Sequence, residues 1–150
     1  MTSKDLLIAG GWIVAVVGWL VGNYQANRRE KRKETRTEID ACCKMAAEIL
    51  VKCRVYYGSP PDDPLDASRS ADIRFEVQRL FIRAERLQNK YAKFEVIGAC
   101  EELLDSSSGD QFESKERPVS AANSDLLLKI ESDIHFLIDR LEDGFAKEFT

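Results

Sequence analysis

Ser70–Asp105 reads SADIRFEVQRLFIRAERLQNKYAKFEVIGACEELLD, and its periodicity decides the fold class. Ile73, Val77, Leu80, Ala84, Leu87, Tyr91 and Phe94 recur at alternating spacings of four and three. That is the seam of a coiled-coil-like amphipathic helix, with one apolar face turned to a core. Phe81, Val96, Ile97, Cys100 and Leu104 broaden the seam towards its end, and Asp105-Ser-Ser-Ser-Gly109 stops it. Ser70 is placed as the N-cap, with Asp72 favouring the positive helix end.

Upstream, Gly58–Arg69 (GSPPDDPLDASR) is rich in breakers and acids and reads as a loop. Before it, no Gly or Pro occurs from Asn23 to Tyr57, so one helix can run through that stretch. It turns amphipathic at Ile39, with Cys42, Ala46, Ile49, Cys53 and Tyr56 following at helical spacing. Downstream, the polar connector Ser106–Ser120 holds only Phe112 and Val119 as apolar anchors. A further helix starts between Ser120 and Asp125, with Leu127, Ile130, Ile134, Leu137 and Leu141 as its seam and Phe145 and Phe149 extending it. Three long amphipathic helices and two loops, with no competing strand pattern, predict an all-α antiparallel three-helix bundle over residues 39–150.

The N-terminus has a different character. Leu6–Gly22, LLIAGGWIVAVVGWLVG, is an uncharged apolar run spanning about 25 Å as a helix, near the lower limit for crossing a bilayer. Residues 1–24 are therefore expected to be a transmembrane anchor and 25–38 a basic juxtamembrane stalk. Arg28, Arg29, Lys31, Arg32, Lys33 and Arg36 supply six cations against two Glu directly behind the run. Lys and Arg stay on the cytoplasmic side, which predicts a short external N-terminus and a cytoplasmic C-terminal domain at an inner membrane. A cleaved signal peptide is opposed by the length of the run, the lack of an A-x-A site and the cations that follow. Gly11, Ala15, Gly18 and Gly22 fall on one face at spacings of four, three and four. Small residues so placed allow close helix approach, so this face is the candidate self-association seam of a homo-oligomer. Trp19 and Tyr24 suit the inner interface, while Trp12 lies deeper than an aromatic belt requires.

The net charge of −4 hides an asymmetry, because the basic block leaves about −8 on Thr37–Thr150. So acidic a domain argues against general nucleic-acid binding, which needs a basic face to release counterions. The four cysteines form no C-x-x-C pair and His135 is the single histidine, so neither a metal site nor a cofactor is expected. Cys42 and Cys53 lie on the apolar seam as small core residues. No P-loop, dinucleotide fingerprint, nucleophile elbow or metalloprotease motif occurs, and no catalytic residue is nominated. One polar pattern stands out: Arg79, Arg83, Arg86, Lys90 and Lys93 each precede a seam residue and form a basic stripe. It reads either as a site for an anion such as a nucleotide, or as interhelical pairing with Glu131, Asp133 or Glu142 and with local Glu76 and Glu85.

The layout resembles small bacterial single-pass membrane-anchored proteins of uncharacterised function. The resemblance rests on WIVAVVGWLVGN (Trp12–Asn23), QANRREKRKE (Gln25–Glu34), EIDACCKMAAEIL (Glu38–Leu50) and the FES of Phe112–Ser114. It implies a membrane-anchored helical interaction or oligomerisation protein and transfers no catalytic residue. A looser similarity in architecture is to membrane effectors of bacterial antiphage systems. That similarity implies the alternative of an effector gated by an anionic nucleotide at the bundle.

Overall fold

A computed structural model describes residues 3–109 and 111–149, with side chains at Trp12 and from Val14 onward. Four helices are present: α1 (Ser3–Tyr57), α2 (Asp66–Lys90), α3 (Ile97–Ser107) and α4 (Asp125–Phe149). The chain divides into two compact units, Met1–Arg36 and Thr37–Thr150.

The second unit is a helical bundle whose seams are those of the sequence. Every seam residue from Ile39 to Tyr56, from Ile73 to Phe94 and from Leu127 to Leu141 is buried in one core. Polar pairs fix the directions of the helices. Lys52 of α1 meets Glu76 of α2 at 3.3 Å, while the earlier Glu38 of α1 meets the later Arg83 at 3.2 Å. α1 and α2 are therefore antiparallel. Arg54 of α1 bonds Glu131 near the start of α4 at 3.0 Å, and Tyr91 just past α2 meets Phe149 at the end of α4 edge to face. α2 and α4 thus share a direction, and α3 returns between them. It packs on both, and its last residue, Ser107, accepts a 2.8 Å bond from the Tyr57 hydroxyl at the end of α1.

The long second helix of the three-helix expectation is corrected here to two helices, α2 and α3, broken at 91–96. No Gly or Pro causes the break; burial does. Tyr91, Phe94 and Val96 all enter the core from the non-helical segment, which a straight helix could not present together. The Gln88 side chain makes the break tolerable by accepting the Val96 and Ile97 N–H groups at 2.9 and 3.2 Å. Those donors at the start of α3 would otherwise lack partners. On the facing helix, Gly144 leaves room for the Phe94 ring, which a Cβ there would meet at 2.8 Å.

The start of α2 is also corrected, from Ser70 to Asp66. Ser70 sits one turn inside the helix, buried, with its hydroxyl 3.0 Å from the Glu113 carboxylate. Asp63 holds the entry to α2 instead. Its carboxylate accepts the Leu65 N–H at 2.8 Å and pairs with Arg69, and these bonds keep its carboxyl below the ordinary range.

Among the described residues no helix is long and apolar enough to cross a membrane. The side chains of Leu6–Gly11 and Ile13, which make up much of the apolar run, lie outside the described residues.

Candidate functional site

Within the first unit, the described part of the apolar run is exposed all round. Trp12, Val14, Val16, Val17, Trp19, Leu20, Val21 and Tyr24 each expose more than half of their surface. An exposed apolar surface of that extent is of the kind that meets either a protein partner or lipid. Ala15 is exposed, and a Cβ built on Gly18 or Gly22 meets nothing within 4 Å. For Gly11, the fourth member of the small-residue seam, nothing beyond its place on α1 is described. Arg28, Arg29, Lys31, Arg32, Lys33 and Arg36 are all exposed on the same helix.

The basic stripe of the bundle is divided by the break after α2. Arg79, Arg83, Arg86 and Lys90 lie on α2, whereas Lys93 falls in the 91–96 segment. Arg79 pairs with Glu76 one turn back at 3.3 Å and lies over the Phe75 ring, and Arg83 pairs with Glu38 of α1. Lys90 stands 5.2 Å from the centre of the Tyr91 ring. Arg86 and Lys93 are exposed. Arg79 and Arg83 thus supply a local and an interhelical ion pair, with Glu38 as a carboxylate that the sequence reading did not name.

Among the described residues, two open clefts stand out on the surface of the bundle, and no stripe residue lines either. One, of about 470 Å³, is flanked by Glu102, Asp105 and Lys129. Lys129 donates to Asp133 at 2.7 Å, and that bond holds its ammonium above the ordinary lysine range. The other, of about 320 Å³, is flanked by Asp62, Asp63, Asp66, Glu113 and Lys115. Three of its four carboxylates are neutralised within the fold, Asp63 by Arg69, Asp66 by Arg117 and Glu113 by Arg74.

The most consequential polar group of the bundle is one that sequence reasoning missed. Arg117, in the polar connector, has a fully buried side chain. Its Nη1 donates to the carbonyls of Tyr56 at 2.5 Å and Ser59 at 3.3 Å, and its Nη2 pairs with Asp66. The guanidinium lies 4.0 Å from the centre of the Tyr56 ring, a cation–π contact. Beside it Glu113, at φ 61°, donates its N–H to the Tyr56 hydroxyl at 2.9 Å, with its carboxylate held by Arg74. The Ser120 N–H bonds the Tyr57 carbonyl at 2.8 Å. The connector therefore closes the end of α1, satisfying carbonyls that a helix terminus leaves open. No sequence motif announces this; the sole cue is a lone Arg opposite a Tyr-Tyr pair that ends a helix.

The thiols belong to the core. All four cysteines are free, and Cys42, Cys53 and Cys100 are buried. Burial pushes Cys53 and Cys100 up to about 12 and Cys42 to about 11, where neighbouring Arg83 partly opposes the rise. Such thiols are poor nucleophiles and poor ligands. Among the described residues no cluster of three His, Cys, Asp or Glu side chains could hold a metal ion. His135 is exposed on α4 and lines neither cleft.

No protein family, no curated protein and no solved structure matches this chain.

Proposed function

We propose that this protein is a non-enzymatic, membrane-anchored helical interaction protein. Its N-terminal helix enters the bacterial inner membrane, and its bundle engages protein partners at the cytoplasmic face. The observation that carries this reading is the exposed apolar surface from Trp12 to Tyr24, followed at once by six cations. A helix apolar on every side belongs in lipid or deep in a core, and a basic flank is what the cytoplasmic membrane surface attracts. Support for an interaction role in the bundle comes from Val51, Val55, Phe75 and Leu128, each at least half exposed. The non-enzymatic reading is supported by the internal pairing of Asp63, Asp66 and Glu113 beside the smaller cleft. The ion pairs of Arg79 and Arg83 lend nothing to an anion-gated effector.

Membrane fractionation tests the anchor. The full-length protein should stay with membranes through a wash in about 1 M salt, which shortens electrostatic screening to about 3 Å, and leave only with detergent. A Val14→Lys/Val17→Lys variant places two charges near the middle of the run at about 2.5–3.5 kcal/mol each, and it should appear in the soluble fraction. Release of the wild-type protein by salt alone would defeat the reading.

A further inference from the structure

We propose that Gln25, Arg28, Arg29 and Arg32 form a headgroup site for the phosphate of an anionic phospholipid, whose acyl chain lies along Gly18 and Gly22. The proposal rests on the membrane reading above and adds to it a side and a ligand. α1 is helical throughout this stretch, so each residue turns about 100° from the last. Gln25, Arg28, Arg29 and Arg32 occupy positions i, i+3, i+4 and i+7, where neighbouring members are one turn apart on one face. They present an amide and three guanidinium groups, all exposed, and guanidinium is the side chain best matched to phosphate oxygens. Glu30 and Glu34 stand on the opposite side, at about 150–190° from the centre of this face. The charge is therefore sided and not a uniform collar.

The same face continues into the apolar segment. Gly22 is three residues before Gln25 and seven before Arg29, and Gly18 is seven before Gln25, so both fall near the azimuth of Arg29. A Cβ at either glycine meets nothing, which leaves a shallow lane beside the helix. Arg29 lies about 10 Å along the axis beyond Gly22, within reach of the headgroup layer for a long side chain turned back towards it. Charge decides the occupant. Two parallel copies packed through Gly18 and Gly22 would bring Gln25, Arg29 and Arg32 of each into one seam, where like charges oppose association. An anionic lipid supplies the complementary charge and fills the lane with an apolar chain.

Quenching of the protein's two tryptophans by brominated lipids reads this directly, since Trp19 lies about 9 Å from Gln25 along the helix. Full-length protein is reconstituted in phosphatidylcholine containing increasing brominated phosphatidylglycerol, or brominated phosphatidylcholine. Each engaged basic residue gives about a fivefold preference for anionic lipid, about 1 kcal/mol. Half-maximal quenching should therefore need a several-fold lower fraction of the anionic lipid. Arg28→Gln/Arg29→Gln/Arg32→Gln should abolish that preference. Asn23→Asp/Asn27→Asp/Lys31→Gln makes the same change in net charge away from the face and should keep it. Equal losses in both variants would show general attraction to the surface and overturn the site, as would equal quenching by both lipids in the wild type. A dimer crosslinked through Gly18 in neutral lipid would give the face to a second copy instead. Failure of the membrane reading itself looks different: neither brominated lipid would quench at all.

Discussion

Replacing Arg117 by Met should destabilise the bundle by about 3–5 kcal/mol, the cost of breaking a buried ion pair from one side. The structure shows where that cost arises. Arg117 is fully buried and its partner Asp66 is only 16 % exposed, so removing the guanidinium strands a carboxylate with little water to solvate it. The carbonyls of Tyr56 and Ser59 lose their donor in the same step. Met keeps much of the side-chain length against the Tyr56 ring, so the loss is chiefly electrostatic and not a cavity. At roughly 4 °C per kcal/mol for a domain of this size, the unfolding midpoint should fall by about 12–20 °C. Near-ultraviolet circular dichroism in the tyrosine region follows it, because Tyr56, Tyr57 and Tyr91 are all in the core. Adding Asp66→Leu should then recover about 1–2 kcal/mol, because the stranded charge goes with it. A loss below about 1 kcal/mol in Arg117→Met would refute the reasoning, and so would a double variant less stable than the single one.

Gly144→Ala, which in an ordinary helix gains about 1 kcal/mol, should here cost about 1–3 kcal/mol by overpacking. The new Cβ would lie 2.8 Å from the Phe94 ring and 3.2 Å from its Cα; a higher melting temperature would show that Phe94 is not seated there. Gln88→Leu leaves the Val96 and Ile97 N–H groups without their acceptor and should cost about 1–3 kcal/mol. Hydrogen exchange at those two amides should speed up by at least several-fold, and unchanged rates would remove the capping role. Alkaline pH should unfold the bundle. Cys42, Cys53 and Cys100 titrate at about 11–12 when folded against 9.0 ordinarily, so the folded state binds their protons more tightly. Stability is then full below about pH 9 and falls as pH rises towards those values, by about 1.4 kcal/mol per pH unit for each thiol. Cys53→Ala should flatten that fall, and an unchanged slope in urea titrations from pH 8.5 to 10.5 would contradict it.

The apolar seams were legible because burial follows a period that the chain displays openly. Ile39 to Tyr56 on α1 and Leu127 to Leu141 on α4 are all in the core. The break between α2 and α3 was not legible, and the reason is physical. The run from Ile73 to Phe94 keeps perfect spacing, yet Tyr91 and Phe94 reach the core from non-helical backbone, so tertiary packing overrides local preference. The hints lie far apart in sequence: Gln88, eight residues before the amide it caps, and Gly144, an otherwise unfavourable residue inside a helix. Arg117 was hidden for a related reason. A cation in a polar connector is normally solvated, and the burial of Arg117 depends on a Tyr56 carbonyl and an Asp66 carboxylate more than fifty residues away. Of the candidate stripe, the regular spacing was visible in the sequence. The division of labour within it was not, since Glu38 is brought to Arg83 only by the antiparallel pairing of α1 with α2.

One helix, α1, carries two opposite solutions to the same problem of apolar surface. Between Ile39 and Tyr56 its seam residues are wholly covered while Asp40, Lys44, Glu48 and Arg54 turn to water, which is how a helix behaves when water lies on one side. Between Trp12 and Tyr24 the described large apolar side chains point in every direction and stay more than half exposed. Among the described residues no amphipathic stripe exists there to be covered by a single neighbour. The hydrophobic effect penalises that exposure at about 25 cal/mol for each Å² left in water, a cost borne on every side of the helix at once. A partner protein on one face would relieve part of it; a surrounding lipid phase relieves all of it. The six cations stand where the first pattern gives way to the second, which is where a helix leaving such a phase would meet headgroup phosphates.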